Sequence, residues 1–320
     1  MFTYRAGRGR PLSDTEYPLV LKAAWYYYME DYTQQQISSL LGVSRAKVIR
    51  LLEEAREQGV IQFIFRQEDA ERMNIERELI ARFGLDDAFV IPTPASSSDL
   101  RNSLASAAAM YVSDHLRSDG YLNIGYGDTM SLVLNHLATG RGSSLNVVSL
   151  TGGVSYYLPK ISSEVFGMRL FLTPAPLVVS SSELRDSLLE EPSIRDVYRM
   201  SEHADMSVVG IGGIDEDATV LRNGILSKNE LALLKMQGAV GDILTHFIDA
   251  NGNPIDTTIE DRIVSTSLEA LRAMKNVVGV AAGPEKVAAI HAVLGAGFLN
   301  VLIVDGDTAR ELLSHASESA

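Results

Sequence analysis

The sequence contains no cysteine, and this absence excludes two classes of structure at once. Without a thiol the chain has neither a disulfide framework nor a thiolate zinc site, which agrees with a reducing compartment. Its six histidines never lie three to five residues apart, so no helix or loop presents a histidine pair to a metal ion. We therefore expect no metal site and no cofactor.

Long hydrophobic runs are missing as well. No segment approaches the roughly 18 uncharged apolar residues that a membrane helix needs, and the first residues, MFTYRAGRGRPLSD, lack the apolar core of a signal peptide. We expect a cytoplasmic protein with no membrane partner. Because 46% of its 320 residues are hydrophobic, the chain can bury a sizeable core, and it is long enough for two domains.

Positive charge is scarce overall but is concentrated at one end of the chain. The net charge is −13, which argues against a nucleic-acid partner for the chain as a whole. Residues 1–66, the head, nevertheless hold nine Lys/Arg and seven Asp/Glu, a net charge of +2, so the other 254 residues carry −15. Since attraction to DNA phosphates is local and screened within about 10 Å, a cationic head on an acidic protein can still bind DNA.

Residues 33–59 have the caps and the spacing of two short helices joined by a tight turn. Thr33 and Ser44 are suited to cap the helix N-termini, while Gly42 and Gly59 are suited to end the helices. The inward apolar positions are Ile37, Leu40, Leu41, Val43, Val48, Leu51 and Leu52. This pattern predicts a helix-turn-helix, and the weak alternation of VIQFIFRQ after it predicts a wing strand.

Basic and small side chains occupy the front of the second helix, which is the surface that enters a major groove in helix-turn-helix domains. We expect DNA contacts from the starts of both helices, at Thr33, Gln34, Ser44, Arg45, Ala46, Lys47 and Arg50. The alternative is a helical hairpin whose charged face is merely solvated. Three cations stand where base contact requires them, so we favour a head that binds double-stranded operator DNA.

Residues 67–87 connect the head to the rest of the chain, and their apolar residues recur with helical spacing. The stripe consists of Met73, Ile75, Leu79, Ile80 and Phe83. In one interpretation this segment is a linker helix that packs on the second domain. In the other it is an oligomerisation helix that pairs two subunits and so presents two heads to two half-sites.

From residue 88 onward, short apolar runs typical of β-strands alternate with helical segments. This alternation predicts an α/β fold with a mostly parallel sheet covered on both faces, and we assign residues 88–320 to this domain, the body. Ligands of such sheets bind beyond the C-terminal ends of the strands. Glycine turns follow four of the predicted strands, at Gly125 and Gly127, Gly152 and Gly153, Gly210 with Gly212 and Gly213, and Gly283.

Polar side chains near these turns are candidate ligand contacts. Asp128 and Thr129 offer hydrogen bonds at the first turn, and Lys286, near a predicted helix start, is suited to neutralise a phosphate. Asp242 follows a further glycine turn and is suited to accept hydrogen bonds from a polyol. The alternatives are an N-cap role for Asp242 and a solvated surface position for Lys286.

The order of several motifs resembles that of a known family. YTQQQISSLLGVSRAKVIRLLEEAREQGVI is followed by IGYGDT, SLTGGV, PAPL, VGIGGI, GAVGDI and VAAGPEKVAAIHAVLGAGFLNVLIVD. Over essentially its whole length the chain resembles the SorC-type sugar-binding bacterial transcriptional regulators, and among them it is most similar to regulators of phosphorylated-autoinducer uptake. The resemblance implies an effector domain of the sugar-phosphate isomerase and deaminase fold, a phosphorylated sugar or autoinducer as effector, and homodimers that assemble into tetramers.

The resemblance also assigns effector-binding residues. The family's phosphate turn corresponds to residues 125–129, its second glycine loop follows at 152–153, and its ligand acid and ligand lysine lie further along the chain. The full set is Gly125, Tyr126, Gly127, Asp128, Thr129, Gly152, Gly153, Asp242, Leu244 and Lys286.

One departure from the related enzymes bears on catalysis. The deaminases of this fold carry a histidine after an Asp-Gly pair in the loop that follows the GIG strand, where it acts in acid–base catalysis. Here that loop is GIGGIDEDATVL, without either feature. The resemblance therefore implies a repressor of a carbohydrate or autoinducer operon that senses its effector. A sugar-phosphate isomerase or deaminase with an appended helical domain, and a helical interaction module on a structural body, are the alternatives.

Overall fold

A computed structural model describes residues 2–3, 16–140, 145–153 and 162–315 of the chain. By its internal contacts the chain divides into two compact units, residues 1–71 and 72–320, and each is described by itself. The division falls inside helix α4 (Gln67–Phe83).

The described part of the first unit contains three helices and a short β-ribbon. The helices are α1 (Tyr17–Tyr28), α2 (Gln34–Leu41) and α3 (Arg45–Glu57). Strands β1 (Phe2–Thr3) and β2 (Ile64–Phe65) pair antiparallel. The predicted helix-turn-helix corresponds to α2 and α3, and the predicted wing strand to β2.

Side-chain caps fix the ends of α2 and α3 as the sequence predicts. The Thr33 hydroxyl accepts a hydrogen bond from the Gln36 N–H at 3.3 Å, and the Gln36 side chain accepts from the Thr33 N–H at 2.9 Å, which makes a capping box. The Ser44 hydroxyl accepts from the Lys47 N–H at 3.2 Å. Gly42 ends α2 in the left-handed conformation, with φ of 66°.

The core of the first unit is small and lies between the three helices. Its buried members are Val20, Ala23, Ala24, Ile37, Val48, Leu51, Leu52 and Ala55. Leu40 is 53% exposed, so its predicted inward position is wrong. The reason is that α2 packs through one narrow side, on which Ile37 is the one buried residue of the helix.

The apolar residues of α4 pack on the second unit. Leu79 is fully buried there, and Ile75, Ile80 and Phe83 lie against the same core. The Glu76 side chain accepts a hydrogen bond from the Val90 N–H at 2.8 Å, which fixes the helix against the first strand of the sheet. Met73, the first residue of the predicted stripe, is 57% exposed and does not take part in this packing. These contacts favour the linker-helix interpretation over subunit pairing.

The second unit is built on a nine-stranded sheet. Seven strands are parallel, in the spatial order β3 (Asp87–Ile91), β11 (Val301–Asp305), β10 (Val277–Val280), β7 (Met206–Gly213), β4 (Tyr121–Ile124), β5 (Asn146–Ser149) and β6 (Arg169–Phe171). Strand β8 (Gly241–Ile243) runs antiparallel beside the C-terminal half of β7, and β9 (His246–Ile248) pairs with β8. The predicted mostly parallel α/β fold is confirmed.

Helices cover both faces of this sheet. They are α5 (Ser97–His115), α6 (Asp128–Gly140), α7 (Ser182–Glu190), α8 (Pro192–Glu202), α9 (Thr219–Arg222), α10 (Lys228–Met236), α11 (Leu268–Ala273), α12 (Val287–Gly295) and α13 (Gly306–His315). Successive strand residues point to opposite faces, and the neighbours Val208 and Val209 of β7 accordingly belong to two different buried clusters. None of the helices in the described ranges has both the length and the apolar composition to cross a membrane.

One predicted glycine turn is instead part of a strand. Gly210, Gly212 and Gly213 lie inside β7, which continues to Gly213 because β8 extends its hydrogen bonding. Gly212 pairs with Asp242 in this register, so Asp242 lies in strand β8, after the turn at Gly238, and not at an N-cap. The N-cap alternative for Asp242 is therefore wrong.

Candidate functional site

The first unit presents the predicted DNA-binding residues on one end of the helix pair. Arg45, Ala46 and Arg50 are exposed, and the Arg45 Nε donates a hydrogen bond to the Gln34 side chain at 3.3 Å. Lys47 is half-buried, and its ammonium lies 3.9 Å from a carboxylate oxygen of Glu16. The first two turns of α3 therefore offer two exposed guanidinium groups, which suits contact with base edges or phosphates.

Thr33 and Ser44 have a structural task in the same region, because their hydroxyls cap α2 and α3. Their contact with DNA stays a prediction. Beside them an open recess of about 710 Å³ is lined by Tyr27, Tyr28, Asp31, Tyr32, Thr33, Gln34, Gln35 and Arg45. No local pattern in the sequence marks these tyrosines as part of this surface.

The second unit holds a cavity of about 640 Å³ at the C-terminal ends of its central strands. The turn after β4, the end of β7 with the following loop to α9, strand β8 and the segment after β10 all contribute to its wall. Strands β5 and β6 extend the sheet on one side of β4 and β7 lies on the other, so the cavity lies where the strand order reverses. This is the position at which open α/β sheets bind ligands.

Seven of the ten predicted effector residues line this cavity: Tyr126, Gly127, Asp128, Thr129, Asp242, Leu244 and Lys286. Gly125 lies behind the wall, where its N–H donates to the Val208 carbonyl at 2.9 Å. A Cβ at Gly125 would approach the Leu244 side chain to 3.1 Å, so this glycine lets Leu244 pack closely against the turn.

Gly152 and Gly153 are not among the lining residues in the part of the chain that the structure describes. Their N–H groups donate to the carbonyls of Val264 and Ala175, each at 2.8 Å, and so brace the end of β5. The residues that follow, 154–161, lie outside the described ranges. A contact between the glycine pair and an effector stays a prediction.

Two arginines at the cavity were not identified from the sequence. Arg222, at the end of α9, donates a hydrogen bond to the Asp128 carboxylate at 2.5 Å, and the Arg101 guanidinium of α5 lies 3.9 Å from the same carboxylate oxygen. Both arginine side chains are more than 40% exposed, whereas that of Asp128 is 19% exposed. Two long, partly exposed arginine side chains therefore lie at the cavity mouth, and both are held by the Asp128 carboxylate at the start of α6.

Lys286 adds a third cation on the inner wall. It ends a short 3₁₀ turn, Pro284–Lys286, just before α12, so its predicted place near a helix start is confirmed. Burial lowers the pKa of Lys286, against the opposite effects of Glu285, Asp242 and Asp215. Lys286 is half-buried in the cavity wall, which favours a ligand contact over a fully solvated surface position, and the contact itself stays a prediction.

Asp242 is the most deeply placed acid of the cavity, with 9% of its surface exposed. Burial raises the pKa of its carboxyl to about 6, although the hydrogen bond from the Thr245 N–H and the nearby Lys286 and His246 act to lower it. A Cβ at Gly212 would lie 2.0 Å from the Asp242 Oδ1, so the adjacent strand must carry glycine for this carboxylate to fit. The structure thus keeps an acid in a place that disfavours its charge.

The turn beside Asp242 has an uncommon backbone. Leu244 and Thr245 connect β8 to β9 with φ of 53° and 70°, the left-handed region that favours glycine or asparagine in such two-residue turns. The conformation is held by the Thr245 N–H, which donates to Asp242 at 3.2 Å, and by the Ser265 hydroxyl, which donates to the Leu244 carbonyl at 2.9 Å. Each such residue costs about 1 to 3 kcal/mol and is typical of ligand sites.

The remaining polar groups give the cavity a mixed character. The other lining side chains that sequence analysis did not identify include Asp215, Asp217, Thr219 and Glu285. The Asn223 amide donates to the Tyr126 hydroxyl and fixes that ring beside the first turn. Carboxylates and hydroxyls of this kind accept and donate hydrogen bonds to sugar hydroxyls, while the three cations suit an anionic group.

Comparison with known proteins gives the family of this chain. The profile of the Sugar-bind family, a sugar-binding domain, matches residues 68–314. The transcriptional regulator LsrR of Klebsiella pneumoniae subsp. pneumoniae is 37% identical over 310 residues, which cover 96% of each chain. The deoxyribonucleoside regulator of Bacillus subtilis (strain 168) is 30% identical over 306 residues, which cover 92% of this chain and 97% of that relative.

Solved structures share the fold. The full-length sorbitol operon regulator SorC from Klebsiella pneumoniae has a TM-score of 0.69 at 24% identity, covering 95% of this chain and 100% of that chain. A DeoR family transcriptional regulator from Listeria monocytogenes has a TM-score of 0.65 at 25% identity, covering 75% of this chain and 99% of that chain. The first similarity, which covers nearly the whole chain, agrees with a helical N-terminal region followed by a mostly parallel α/β sheet.

Proposed function

The chain belongs to the SorC-type family of transcriptional regulators with a sugar-binding domain, and from this premise we propose that it is a repressor whose operator complex is released by a phosphorylated sugar or autoinducer. In this proposal residues 1–66 bind double-stranded operator DNA, residues 67–87 link the two domains, and residues 88–320 bind the effector. The relatives carry the names of regulators, so the alternative of an isomerase or deaminase is set aside.

The observation that carries the proposal is the convergence of three cations on a polar sugar-sized cavity. Lys286, Arg101 and Arg222 approach it from three separate elements, and α6 begins at its edge with Asp128 and Thr129. The first N–H groups of a helix have no partner within the helix and favour an anion. A phosphate bound near the three cations and the start of α6, with the sugar hydroxyls at Asp242, would use both the cationic groups and the acid.

Ion-pair exchange gives a route for the anion to enter. Asp128 holds the two arginines through one hydrogen bond of 2.5 Å and one longer contact of 3.9 Å. Both are partly exposed, so exchanging the carboxylate for a phosphate has a low cost in free energy. A phosphate offers more acceptor oxygens than one carboxylate and can hold both guanidinium groups at once.

A phosphorylated sugar is expected to bind the full chain, whereas its unphosphorylated counterpart binds at least 10-fold more weakly. A panel of pentose and hexose phosphates is first screened for a rise in melting temperature, since a ligand at 100 times its Kd adds about 2.7 kcal/mol. Each hit and its unphosphorylated sugar are then compared by titration calorimetry. Equal affinity for the two forms contradicts an anion site at the three cations.

Arg45→Ala is expected to weaken operator binding by about 1 to 3 kcal/mol and to relax base preference at one position of each half-site. The reason is the exposed position of Arg45 at the front of α3. Footprinting and gel-shift titration measure both effects. Arg56→Ala is the matched control, because Arg56 is exposed in the last turn of the same helix, roughly 16 Å away along its axis. Equal losses for the two variants contradict a base contact by Arg45.

A further inference from the structure

His246 is a buried histidine close to the effector cavity. It is the first residue of β9, directly after the turn at residues 244–245, and 6% of its surface is exposed. Its ring nitrogens contact two acceptors: Nδ1 lies 2.6 Å from the Glu260 Oε1, and Nε2 lies 3.0 Å from the Thr266 carbonyl oxygen. His246 is not among the described residues that line the cavity, so it lies behind the cavity wall.

From these contacts we propose that His246 is a positioning residue for the effector. One proton shared by His246 and Glu260 fastens the turn at residues 244–245, and effector binding weakens when that proton is lost. The inference rests on the proposed function, because it concerns the same cavity. It goes further by naming a residue outside the cavity on which effector affinity depends, and by making that affinity depend on pH.

The two partners of the ring determine how many protons the pair carries. A carboxylate and a backbone carbonyl only accept hydrogen bonds, whereas a neutral imidazole has one N–H to donate. Both contacts of His246 are therefore hydrogen bonds only if the ring is an imidazolium, or if Glu260 carries the second proton and donates it to Nδ1. In either arrangement one proton lies between Nδ1 and Oε1, and the two groups titrate as a pair.

Loss of the shared proton breaks this contact. Two sets of lone pairs then face each other across a distance that was 2.6 Å with the proton in place. The side chains of His246 and Glu260 are only 8% and 25% exposed, so water has little access to replace the lost hydrogen bond. The ring and the carboxylate must then separate, and β9 is free to move with the ring.

Other carboxylates also face the ring. Asp242 of β8 and Glu269, in the first turn of α11, interact electrostatically with His246. With Glu260, which belongs to the 3₁₀ turn Glu260–Arg262, these acids approach the ring from three separate elements. Asp242 itself titrates in the cavity wall, so a test of the His246–Glu260 pair has to separate the two titrations.

The turn that His246 fastens needs such an anchor. Leu244 and Thr245 have φ of 53° and 70°, a conformation that is costly for residues other than glycine. The Ser265 hydroxyl holds the Leu244 carbonyl at 2.9 Å, and the two contacts of His246 hold the next residue of the hairpin to the same segment of chain. A turn that is unfavourable in itself keeps its shape only while these contacts are made.

The groups that hold His246 are themselves fixed. The N–H and the hydroxyl of Thr266 both donate to the Leu150 carbonyl, at 2.8 and 3.0 Å, just after β5. The Glu260 N–H donates to the Thr257 hydroxyl at 3.2 Å. His246 therefore connects the hairpin of β8 and β9 to a rigid part of the second unit.

Two features of the cavity wall depend on the position of this hairpin. Leu244 lines the cavity and packs so closely on the turn after β4 that a Cβ at Gly125 would approach its side chain to 3.1 Å. The Thr245 N–H donates to Asp242 at 3.2 Å. A displaced hairpin therefore moves both an apolar contact and the acid that the proposed function assigns to the sugar hydroxyls.

Glu260→Gln tests the shared proton without removing either hydrogen bond. A glutamine amide can donate to Nδ1 of a neutral ring while Nε2 still donates to Thr266. The probe is the sugar phosphate of the panel that binds the wild type most tightly, and calorimetry on the full chain gives its Kd from pH 6 to pH 9. The wild-type Kd divided by the Glu260→Gln Kd is expected to rise by about 5-fold or more over this range, which is the lower end of typical coupling between two sites.

This ratio isolates the pair from the other groups that titrate. Asp242, Lys286 and the phosphate of the probe are present in both titrations, so their effects on the two Kd values cancel. Asp261→Asn is the matched control, because Asp261 is an exposed carboxylate in the same 3₁₀ turn. Its ratio is expected to stay constant with pH. A ratio for Glu260→Gln that is equally constant contradicts the proposal.

His246→Ala tests the positioning role directly. It is expected to raise the effector Kd by about 10-fold or more at pH 6, because the hairpin loses its anchor and two acceptors lose their donor. The melting temperature is measured on the same protein. A lower melting temperature with an unchanged Kd shows a structural role alone and contradicts the proposal. If alanine at this buried position unfolds the chain, the ratio for Glu260→Gln decides.

The outcomes separate this inference from the proposed function. If no sugar phosphate of the panel binds the wild type, the proposed effector site is contradicted, and the inference is contradicted with it. If the wild type binds one of them and the ratio for Glu260→Gln does not change with pH, the inference alone is contradicted.

Discussion

Lys286→Met is expected to leave operator binding unchanged while weakening effector binding by about 2 to 3 kcal/mol, roughly 30- to 160-fold. Methionine keeps the unbranched stem of the side chain, so packing against Gly213, where a Cβ would lie 3.5 Å from the Lys286 Cγ, is preserved. The substitution therefore removes the ammonium with little change in volume. Operator release should fail at effector concentrations that release the wild type.

The size of this effect follows from linkage. An effector shifts the protein between DNA-bound and free arrangements only by its difference in affinity for the two, which is typically about 1 to 3 kcal/mol. A loss of 2 to 3 kcal/mol in effector binding raises the effector concentration needed for operator release by the same factor by which it raises the Kd.

Gel-shift titration with rising effector measures operator affinity and release together. Lys235→Met is the matched control, because Lys235 is an exposed lysine in the last turn of α10. The control should release at the wild-type concentration. Release of Lys286→Met at that same concentration shows that Arg101, Arg222 and the start of α6 hold the anion without Lys286.

Several predicted residues that the structure brings to the cavity wall have a local sequence pattern. Gly127, Asp128 and Thr129 line the cavity because a strand, a glycine turn and a helix start follow one another within a few residues. The caps Thr33 and Ser44 were predictable for the same reason, since a cap is defined by residues within one helical turn. The alternation of apolar runs and helices likewise predicted the α/β class.

The residues that were missed reach the site through tertiary structure. Arg101 lies in the second turn of a long helix and Arg222 at the end of a four-residue helix, and neither has a local pattern that distinguishes it from a surface arginine. Both meet at Asp128, which is 27 residues from one and 94 residues from the other in sequence. Their roles depend on the crossing order of the sheet, which a single sequence does not display.

The sequence-based prediction of local structure was wrong where a glycine-rich segment forms a paired strand instead of a turn. Gly212 and Gly213 suggested a turn, but the antiparallel strand β8 extends β7 through both residues. Glycine is required at 212 because the Asp242 carboxylate occupies the space of a side chain, and not because the backbone turns. Asp242, which follows the glycine turn at Gly238, lies in strand β8 and lines the cavity wall.

Asp242→Asn is expected to stabilise the unliganded protein at pH 7.5, by up to about 3 kcal/mol, while weakening effector binding. The folded protein raises the pKa of this carboxyl from 3.8 to about 6, chiefly through burial, and each unit corresponds to about 1.36 kcal/mol. Asparagine keeps an acceptor for the Thr245 N–H and removes the buried charge. A binding residue that destabilises its own fold is a common cost of function.

The pH dependence gives the sharper test of this prediction. Below pH 3.8 the carboxyl is protonated in both the folded and the unfolded chain, so the wild type has no disadvantage there. Between 3.8 and about 6 the unfolded chain ionises first, and the stability of the wild type falls as the pH rises. The advantage of Asp242→Asn should therefore increase from pH 5 to pH 7.5, as measured by calorimetric unfolding of the full chain.

Asp249→Asn is a control at a carboxyl whose pKa is shifted in the opposite direction. Hydrogen bonds from Asn253 and Asn251 hold the pKa of Asp249 below its ordinary value. This carboxylate therefore stabilises the fold at every pH above the ordinary pKa, and its contribution is lost as the pH falls from the ordinary pKa through the lowered one. Asp249→Asn should therefore not stabilise the protein, and its difference from the wild type should stay constant between pH 5 and pH 7.5. An advantage of Asp242→Asn that is equally constant over this range would mean that Asp242 is already ionised at pH 5, and that its burial in the cavity wall does not raise its pKa.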